Sequence, residues 1–245
     1  MPVSSEALLA LALIAVYLFD SAHFLCIGEA VITTRGESLR RLSFGSAFEL
    51  GGRRPLLPNP LTPFWPEFRV AWDVSGGVVA STAQAAAQMR QQLRALRPIS
   101  WLAGVCAGLI LIAAPLALVV GRPRVFVAVV LLCLAIAVVA SALVFARRRE
   151  LGLRSWPAVG LILVALVCLP CAANLARAVA REHRPTVAAS ELPGLGFDPA
   201  QVELIRRQLL EVLSRARQLL PEEGREHRTV SAQLQRLQSR ADEFH

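Results

Sequence analysis

The sequence predicts a mainly α-helical integral membrane protein with four transmembrane helices, a small β-rich loop domain between helices 1 and 2, and a C-terminal helical hairpin or coiled-coil-like tail. Two observations support this prediction. First, 55% of the 245 residues are hydrophobic, and the mean hydropathy is +0.51, both above the values of ordinary soluble domains. Second, four apolar runs approach the roughly 20 residues that a helix needs to cross a bilayer. The runs cover residues 7–27, 99–120, 125–146 and 158–173.

Transmembrane helix 1 is predicted within residues 1–27. No Lys or Arg precedes its apolar run, and the run continues past Asp20 to Ile27. A signal peptide starts with positive charge and ends at a cleavage site of small residues. We therefore expect an uncleaved membrane-spanning helix.

Arginine bias predicts the orientation, because loops rich in Lys and Arg stay in the cytoplasm. The chain contains no lysine, and all 26 of its basic residues are arginine. The arginine-rich loops 28–98 and 147–154 are expected in the cytoplasm of a bacterium, and both termini in the periplasm. Arginines also follow the last apolar run on the supposed periplasmic side, so the inverted orientation stays open. They are Arg177, Arg181 and Arg184.

Residues 28–77 are predicted to form a small soluble segment rich in β structure and proline. Its β-like stretches, which glycine and proline separate, are 30–34, 39–44 and 68–72. Residues 58–66, which we call the proline strap, contain repeated prolines that exclude a helix and favour extended backbone. Phe64 and Trp65 in the strap are candidate partner-binding residues.

The middle of the chain is predicted to be helical. Residues 78–98 should form an amphipathic helix that stops before Pro98. Residues 99–176 should contain transmembrane helices 2–4, with a tight turn at 121–124 between helices 2 and 3. Residues 177–197 are predicted to be a linker.

Residues 198–245 are predicted to form a helical tail of two segments. Apolar residues recur at steps of three and four, as in a heptad seam. Two interpretations remain open: a self-packed hairpin, or a seam completed by a protein partner or a second copy of the chain. The candidate partner-binding residues are Ile205, Leu209, Val212 and Leu234.

Cys168 and Cys171 form the sharpest local pattern, Cys-Leu-Pro-Cys. Two cysteines at this spacing can alternate between dithiol and disulfide. In helix count and cysteine spacing the chain resembles four-helix membrane thiol oxidoreductases of the vitamin K epoxide reductase and DsbB kinds. This resemblance implies a thiol–disulfide oxidoreductase that uses Cys168 and Cys171, but the loops contain no second cysteine pair to relay electrons. The alternative is a pair of packing cysteines beside a proline kink.

Asp20 and His23 are separated by three residues and would share one face of helix 1. Ionisable residues in a membrane helix usually face a partner or a cavity. The pair is therefore a candidate for a proton-coupled carrier, or for a metal site with Glu29 as third ligand. A second histidine, which most such sites require, is missing nearby. A hydrogen-bonded packing pair is the other interpretation.

The sequence contains no catalytic motif and no cofactor fingerprint. Its arginines are scattered over the loops rather than gathered on one face, which argues against nucleic-acid binding. With four apolar runs, two soluble parts and no catalytic motif, the chain is expected to be a multi-pass bacterial inner-membrane protein of structural or adaptor type. It would contact the lipid bilayer and recruit a protein partner through its soluble segments.

Overall fold

The computed structural model is mostly helical (67%) with a small β region, as the sequence predicts. It describes residues 5–26, 28–35, 38–46, 48–51, 53–72, 81–197, 199–219, 221 and 224–242. The chain divides into two compact units. Unit 1 comprises Met1–His23, Leu57–Glu67 and Gln91–His183, and unit 2 comprises Phe24–Leu56, Phe68–Arg90 and Arg184–His245. The two units alternate along the chain, whereas the sequence predicts consecutive domains.

The first 182 residues contain most of the helices. They are α1 (Ser5–Ser21), α2 (Thr82–Gly108), a π-helical turn (Leu109–Ala113), α3 (Ala114–Val119), α4 (Pro123–Ala146), α5 (Ser155–Val167), α6 (Leu169–Ala173) and α7 (Leu175–Glu182). Pro123 is the first residue of α4, where its missing N–H removes no hydrogen bond. Gly121 in the preceding turn has a φ of +67°, which glycine adopts without steric cost.

Pro98 lies inside α2 and does not end it. The predicted amphipathic helix 78–98 and the predicted second transmembrane helix are therefore one continuous helical stretch, Thr82–Val119. Proline removes one backbone hydrogen bond, and apolar helices tolerate this loss when the neighbouring turns are held by packing. The break that the sequence predicts before Pro98 is wrong for this reason.

Two helical stretches of the described residues are long and apolar enough to cross a membrane, Thr82–Val119 and Pro123–Ala146. Only 28% of the apolar window of α4 is buried within the chain, so most of its apolar surface faces outward. The two stretches give weak support for membrane association, by length and composition alone. The other two predicted spans are shorter, because α1 ends at Ser21 and α5 ends at Val167.

In the described residues, six short strands form the β region. They are β1 (His23–Leu25), β2 (Glu29–Arg35), β3 (Ser38–Ser43), β4 (Arg54–Leu56), β5 (Glu67–Trp72) and β6 (Thr186–Val187). The three predicted β-like stretches coincide with β2, β3 and β5. The strands form one sheet in the order β3-β2-β5-β6 and a separate pair, β1-β4. β2 and β3 are antiparallel, and their buried apolar residues are Ala30, Val31, Ile32, Leu39 and Leu42.

Strand β6, like β1 and β4, is an element that sequence reasoning missed. It pairs in parallel with β5, with Ala71 opposite Thr186, and the Ala71 N–H donates to the Pro185 carbonyl at 3.1 Å. The predicted linker 177–197 therefore contains the end of α7, β6 and a 3₁₀ helix (Ala189–Leu195). The pairing joins β5 of the predicted loop segment and β6 of the predicted linker in one sheet. The orientation of the chain in a membrane stays a prediction.

The tail folds into α8 (Pro199–Leu219) and α9 (Arg225–Asp242). Pro199 at the start of α8 has the fixed φ that suits a first helical turn. The two helices pack against each other and against the 3₁₀ helix, which is the self-packed hairpin among the predicted alternatives.

Candidate functional site

Polar side chains of unit 1 gather around Arg177, which is 0% exposed. Arg177 lies on α7, and its Nη2 donates to the carbonyl oxygens of Asn59 at 2.7 Å and Thr62 at 2.8 Å. The same nitrogen lies 3.7 Å from the Glu67 carboxylate. A buried guanidinium is stable only when it is paired and hydrogen-bonded. Arg177 therefore connects α7 to the proline strap by hydrogen bonds to two backbone carbonyls.

His23 and Glu67 form a second buried pair, with 2.9 Å between His23 Nε2 and Glu67 Oε2. They are 2% and 4% exposed. Burial lowers the pKa of His23, and the charges of Arg181 and Arg177 lower it further, although Glu67 acts in the opposite direction. A neutral imidazole donates from only one nitrogen, so the carboxylate assigns the proton to Nε2. His23 thus stays neutral beside Glu67, and Arg177 balances the carboxylate charge.

A third set of contacts connects the end of α1 to Asn174 and to the strap. Tyr17 donates its hydroxyl proton to the Pro60 carbonyl at 2.5 Å. Asn174 Nδ2 donates to the Tyr17 carbonyl at 3.1 Å. Ser21 Oγ lies 2.8 Å from the Tyr17 carbonyl and 3.1 Å from Asn174 Oδ1. We call these residues, with His23, Glu67 and Arg177, the Arg177 cluster.

The Arg177 cluster fixes the backbone of the proline strap through side chains from α1 and α7. Phe64 in the strap is 40% exposed, and its ring lies 5.6 Å from that of Trp65, edge to face. A Cβ atom added to Gly104 of α2 would come within 3.2 Å of the Phe64 ring. The strap therefore packs closely on α2, and an alanine at Gly104 would require the Phe64 ring to shift by a few tenths of an ångström.

The predicted trio Asp20, His23 and Glu29 does not form a metal site. The described residues contain no group of three or more His, Cys, Asp or Glu that could hold a metal ion. α1 ends at Ser21 and His23 belongs to β1, so the assumption that Asp20 and His23 share a helix face is wrong. The Asp20 carbonyl instead accepts a hydrogen bond from Arg181 at 2.9 Å.

Glu29 has partners in unit 2. It accepts a hydrogen bond from the Cys26 N–H at 2.8 Å and pairs with Arg69. Burial alone would raise the pKa of Glu29, but the hydrogen bonds from Arg69 and Cys26 and the charge of Arg69 outweigh it and lower this pKa. Glu29 is therefore an ionised residue that ties β2 to β5.

Cys168 and Cys171 are joined by a disulfide, with 5.2 Å between their Cα atoms. Cys168 lies between α5 and α6 with φ −118° and ψ 96°, so the fourth apolar run is interrupted at this residue. Pro170 explains the interruption, because it has no N–H to continue the helix. The other three cysteines are free thiols: Cys26, Cys106 and Cys133.

The predicted partner-binding residues of the tail are mostly covered. Ile205, Leu209 and Leu234 are buried, and Val212 is half-buried. Since α8 packs on α9 and on the 3₁₀ helix, these side chains form the interior of unit 2. Ile205, Leu209 and Leu234 therefore have almost no exposed surface that a partner could contact.

Sequence reasoning missed the Arg177 cluster. Asn174 and Arg177 follow the last apolar run at a spacing of three, which is a helical spacing, and Glu67 directly follows the last proline of the strap. These signals were visible, but nothing in the sequence connects three regions so far apart. Comparison with protein families, with characterised proteins and with solved structures finds no match to this chain.

Proposed function

We propose that the chain is an inner-membrane protein in which α1, the stretch Thr82–Val119 and α4 cross the bilayer, while α5 to α7 enter and leave it on the same side. Gly152 lies just before α5 and His183 just after α7. A Cβ atom added to Gly152 would lie 3.6 Å from His183 Nδ1, so the two ends of this segment are close together, as a re-entrant segment requires. α5 and α7 also pack against each other. The segment after α7 therefore ends near the level at which α5 begins.

The distribution of arginine supports this arrangement better than four complete spans do. With α5 to α7 re-entrant, the arginines of 177–184 fall on the same side as those of 28–98 and 147–154. Positive loops mark the cytoplasmic side, so the loop and the C-terminus are cytoplasmic and the N-terminus is periplasmic.

Cysteine labelling tests this topology in the full chain. Ser46→Cys and Ser239→Cys, both exposed in unit 2, are made in a Cys26→Ser background and treated with a membrane-impermeant maleimide. Both should be protected in intact cells and should react after permeabilisation. If only one of the two cysteines is labelled in intact cells, the two positions lie on opposite sides of the membrane and the proposed topology is wrong.

The function we propose is that of a membrane-anchored adaptor that presents unit 2 to a protein partner in the cytoplasm. The observation behind it is that residues of the predicted β-rich segment and of the tail belong to one compact unit, unit 2, which contains the sheet. The apolar seam of the tail packs inside this unit. The partner surface must therefore lie elsewhere. The connection between β3 and β4 exposes Phe48 and Leu50, which are 65% and 59% exposed. Exposed apolar side chains grouped in this way are typical of interaction surfaces.

Site-specific photo-crosslinking tests the adaptor function. A photoreactive phenylalanine analogue replaces Phe48 in the full chain, or Phe64 in the proline strap. We expect one protein adduct from Phe48 that disappears when Leu50→Asp is added. Arg40, exposed on β3, provides the matched control position. Equal adducts from Arg40, or adducts that survive Leu50→Asp, would contradict the proposal.

A second candidate function is thiol–disulfide exchange, which the disulfide between Cys168 and Cys171 favours. Quenching cells with acid and alkylating their free thiols measures how much of this disulfide is present in the native membrane. If the pair cycles, the disulfide fraction should fall when cells are treated with a membrane-permeant dithiol and recover after its removal. A pair that remains fully alkylated in untreated cells would exclude this candidate.

A further inference from the structure

One face of α2 changes from arginine to apolar side chains within four turns of the helix. Arg94, Arg97, Trp101 and Val105 follow one another at steps of three and four residues, so they lie on one side of the helix. Both arginines are exposed, and Trp101 and Val105 are 70% and 50% exposed. We call these four residues the α2 stripe. It is charged at one end and apolar at the other.

The opposite side of α2 packs inside unit 1. Leu96, Ile99, Ala103 and Cys106 are buried, so the core of the unit is on that side and the α2 stripe is on the other. Large apolar side chains that share an exposed face are typical of a surface that contacts a partner or a membrane.

A second arginine-rich segment lies at the charged end of the stripe. Arg147, just after α4, donates from Nη1 to the Ala95 carbonyl at 3.3 Å. The connection 147–154 therefore begins beside the turn of α2 that contains the two arginines of the stripe. Residues 91–101 and 147–154 together contain six arginines and one carboxylate, Glu150. This excess of positive charge attracts anions.

The spacing along the helix fits a phospholipid better than a free anion. At a rise of 1.5 Å per residue, Trp101 lies about 6 Å beyond Arg97, and Val105 lies about 12 Å beyond it. Ile112, in the π-helical turn, is 68% exposed and extends the apolar surface. Tryptophan is enriched at the level of lipid headgroups. A free phosphate would use only the arginines, whereas a phospholipid uses the whole stripe.

We propose that the α2 stripe binds an acidic phospholipid of the cytoplasmic leaflet, with its phosphate at Arg94 and Arg97 and an acyl chain along Trp101 and Val105. This inference rests on the membrane topology proposed above. The planar guanidinium of arginine suits phosphate, because it donates two parallel hydrogen bonds to phosphate oxygens. Phosphatidylcholine has the same phosphate, but its choline cancels the charge, so the stripe should prefer a lipid with net negative charge.

Tryptophan quenching in bilayers tests this site. The full-length protein carries Trp156→Phe, because Trp156 on α5 is also highly exposed, at 84%. It is reconstituted in phosphatidylcholine bilayers that contain a small fraction of phosphatidylglycerol or of phosphatidylcholine with brominated acyl chains. Bromine quenches tryptophan only at short range. At equal fractions, brominated phosphatidylglycerol should quench more strongly, and this difference should vanish when Trp101→Phe is added.

Two charge-matched variants locate the headgroup. Arg94→Gln with Arg97→Gln should raise the fraction of phosphatidylglycerol needed for half-maximal quenching by at least roughly tenfold. Quenching by brominated phosphatidylcholine should not change, which shows that the variant is still inserted. Arg122→Gln with Arg124→Gln removes the same charge from the turn before α4, where both arginines are exposed. This control should keep the preference for phosphatidylglycerol.

The outcomes separate the lipid site from the topology on which it rests. If both brominated lipids quench Trp101 equally, Trp101 faces lipid as the topology requires, and the acidic-lipid site is wrong. If the control variant at the other end of α4 loses the preference as well, total charge attracts the lipid and the site is again wrong. If neither lipid quenches Trp101, the site is overturned, and the maleimide labelling above decides whether the topology fails with it.

Discussion

Replacing Arg177 should be among the most damaging single changes in this chain. Its guanidinium is 0% exposed, donates to two carbonyls of the proline strap and lies 3.7 Å from Glu67. Arg177→Met removes this cation and leaves Glu67 buried beside His23. Breaking a buried ion pair from one side costs about 3–5 kcal/mol, and hydrogen bonds to a charged group contribute about 1.5–3 kcal/mol each.

We expect Arg177→Met to lower the free energy of unfolding by about 3–5 kcal/mol. Arg177→Lys should recover little of it, because a single ammonium group cannot reproduce the geometry of the planar guanidinium. The measurement is reversible denaturation of the detergent-solubilised chain, followed by tryptophan fluorescence.

A matched control separates the loss of the buried pair from the loss of an arginine. Arg215 on α8 pairs with Glu211 at 2.9 Å, and its side chain is 50% exposed. Arg215→Met should therefore cost at most about 1 kcal/mol. Adding Glu67→Gln to Arg177→Met should recover part of the loss, because it removes the uncompensated charge. If Arg177→Met costs no more than Arg215→Met, the clamping role of Arg177 is refuted.

Three further outcomes are expected. Gly45→Ala should destabilise the chain by about 1 kcal/mol or more, because Gly45 has a φ of +88° and a Cβ there would lie 2.7 Å from that of Arg54; chemical denaturation measures this, and an unchanged midpoint would contradict it. Replacing a helical glycine by alanine usually stabilises a protein by roughly 0.5–1 kcal/mol. Gly104→Ala should lack this gain in the wild-type chain, because the added Cβ meets the Phe64 ring, and should show it in a Phe64→Ala background. Equal changes in stability in both backgrounds would exclude the contact. Lowering the pH from about 7.5 to 5 should reduce stability, because the unfolded chain takes up protons near the usual His pKa of about 6.5 while burial lowers the pKa of His23 and of His183. His23→Gln should remove part of this dependence in thermal melts at several pH values.

The predictable parts of the fold are those determined by local pattern. Strands β2, β3 and β5 and helices α4, α8 and α9 lie where hydrophobic periodicity, glycine and proline predict them. Pro199 marked the start of α8 because proline suits a first helical turn. These signals involve neighbouring residues only.

The elements that the sequence did not predict depend on contacts between distant residues. Strand β6 contains only Thr186 and Val187, too few to show a period, and it is a strand because β5 offers an edge. α2 passes through Pro98 because tertiary packing overrides propensity. Likewise, the Arg177 cluster joins α1, the strap and α7, which no spacing rule connects. Sequence patterns identify elements, but they do not identify which distant side chains meet.

The alternation of the two units along the chain has a consequence for synthesis. Unit 2 takes its last portion from Arg184–His245, so its sheet remains incomplete until the ribosome has made β6, which follows all the helices of unit 1. Until then β5 presents an unpaired edge, a known liability for aggregation and cleavage. A premature stop codon after α7 would thus yield a chain with its apolar helices complete and this edge open, a form that cellular quality control can recognise and degrade.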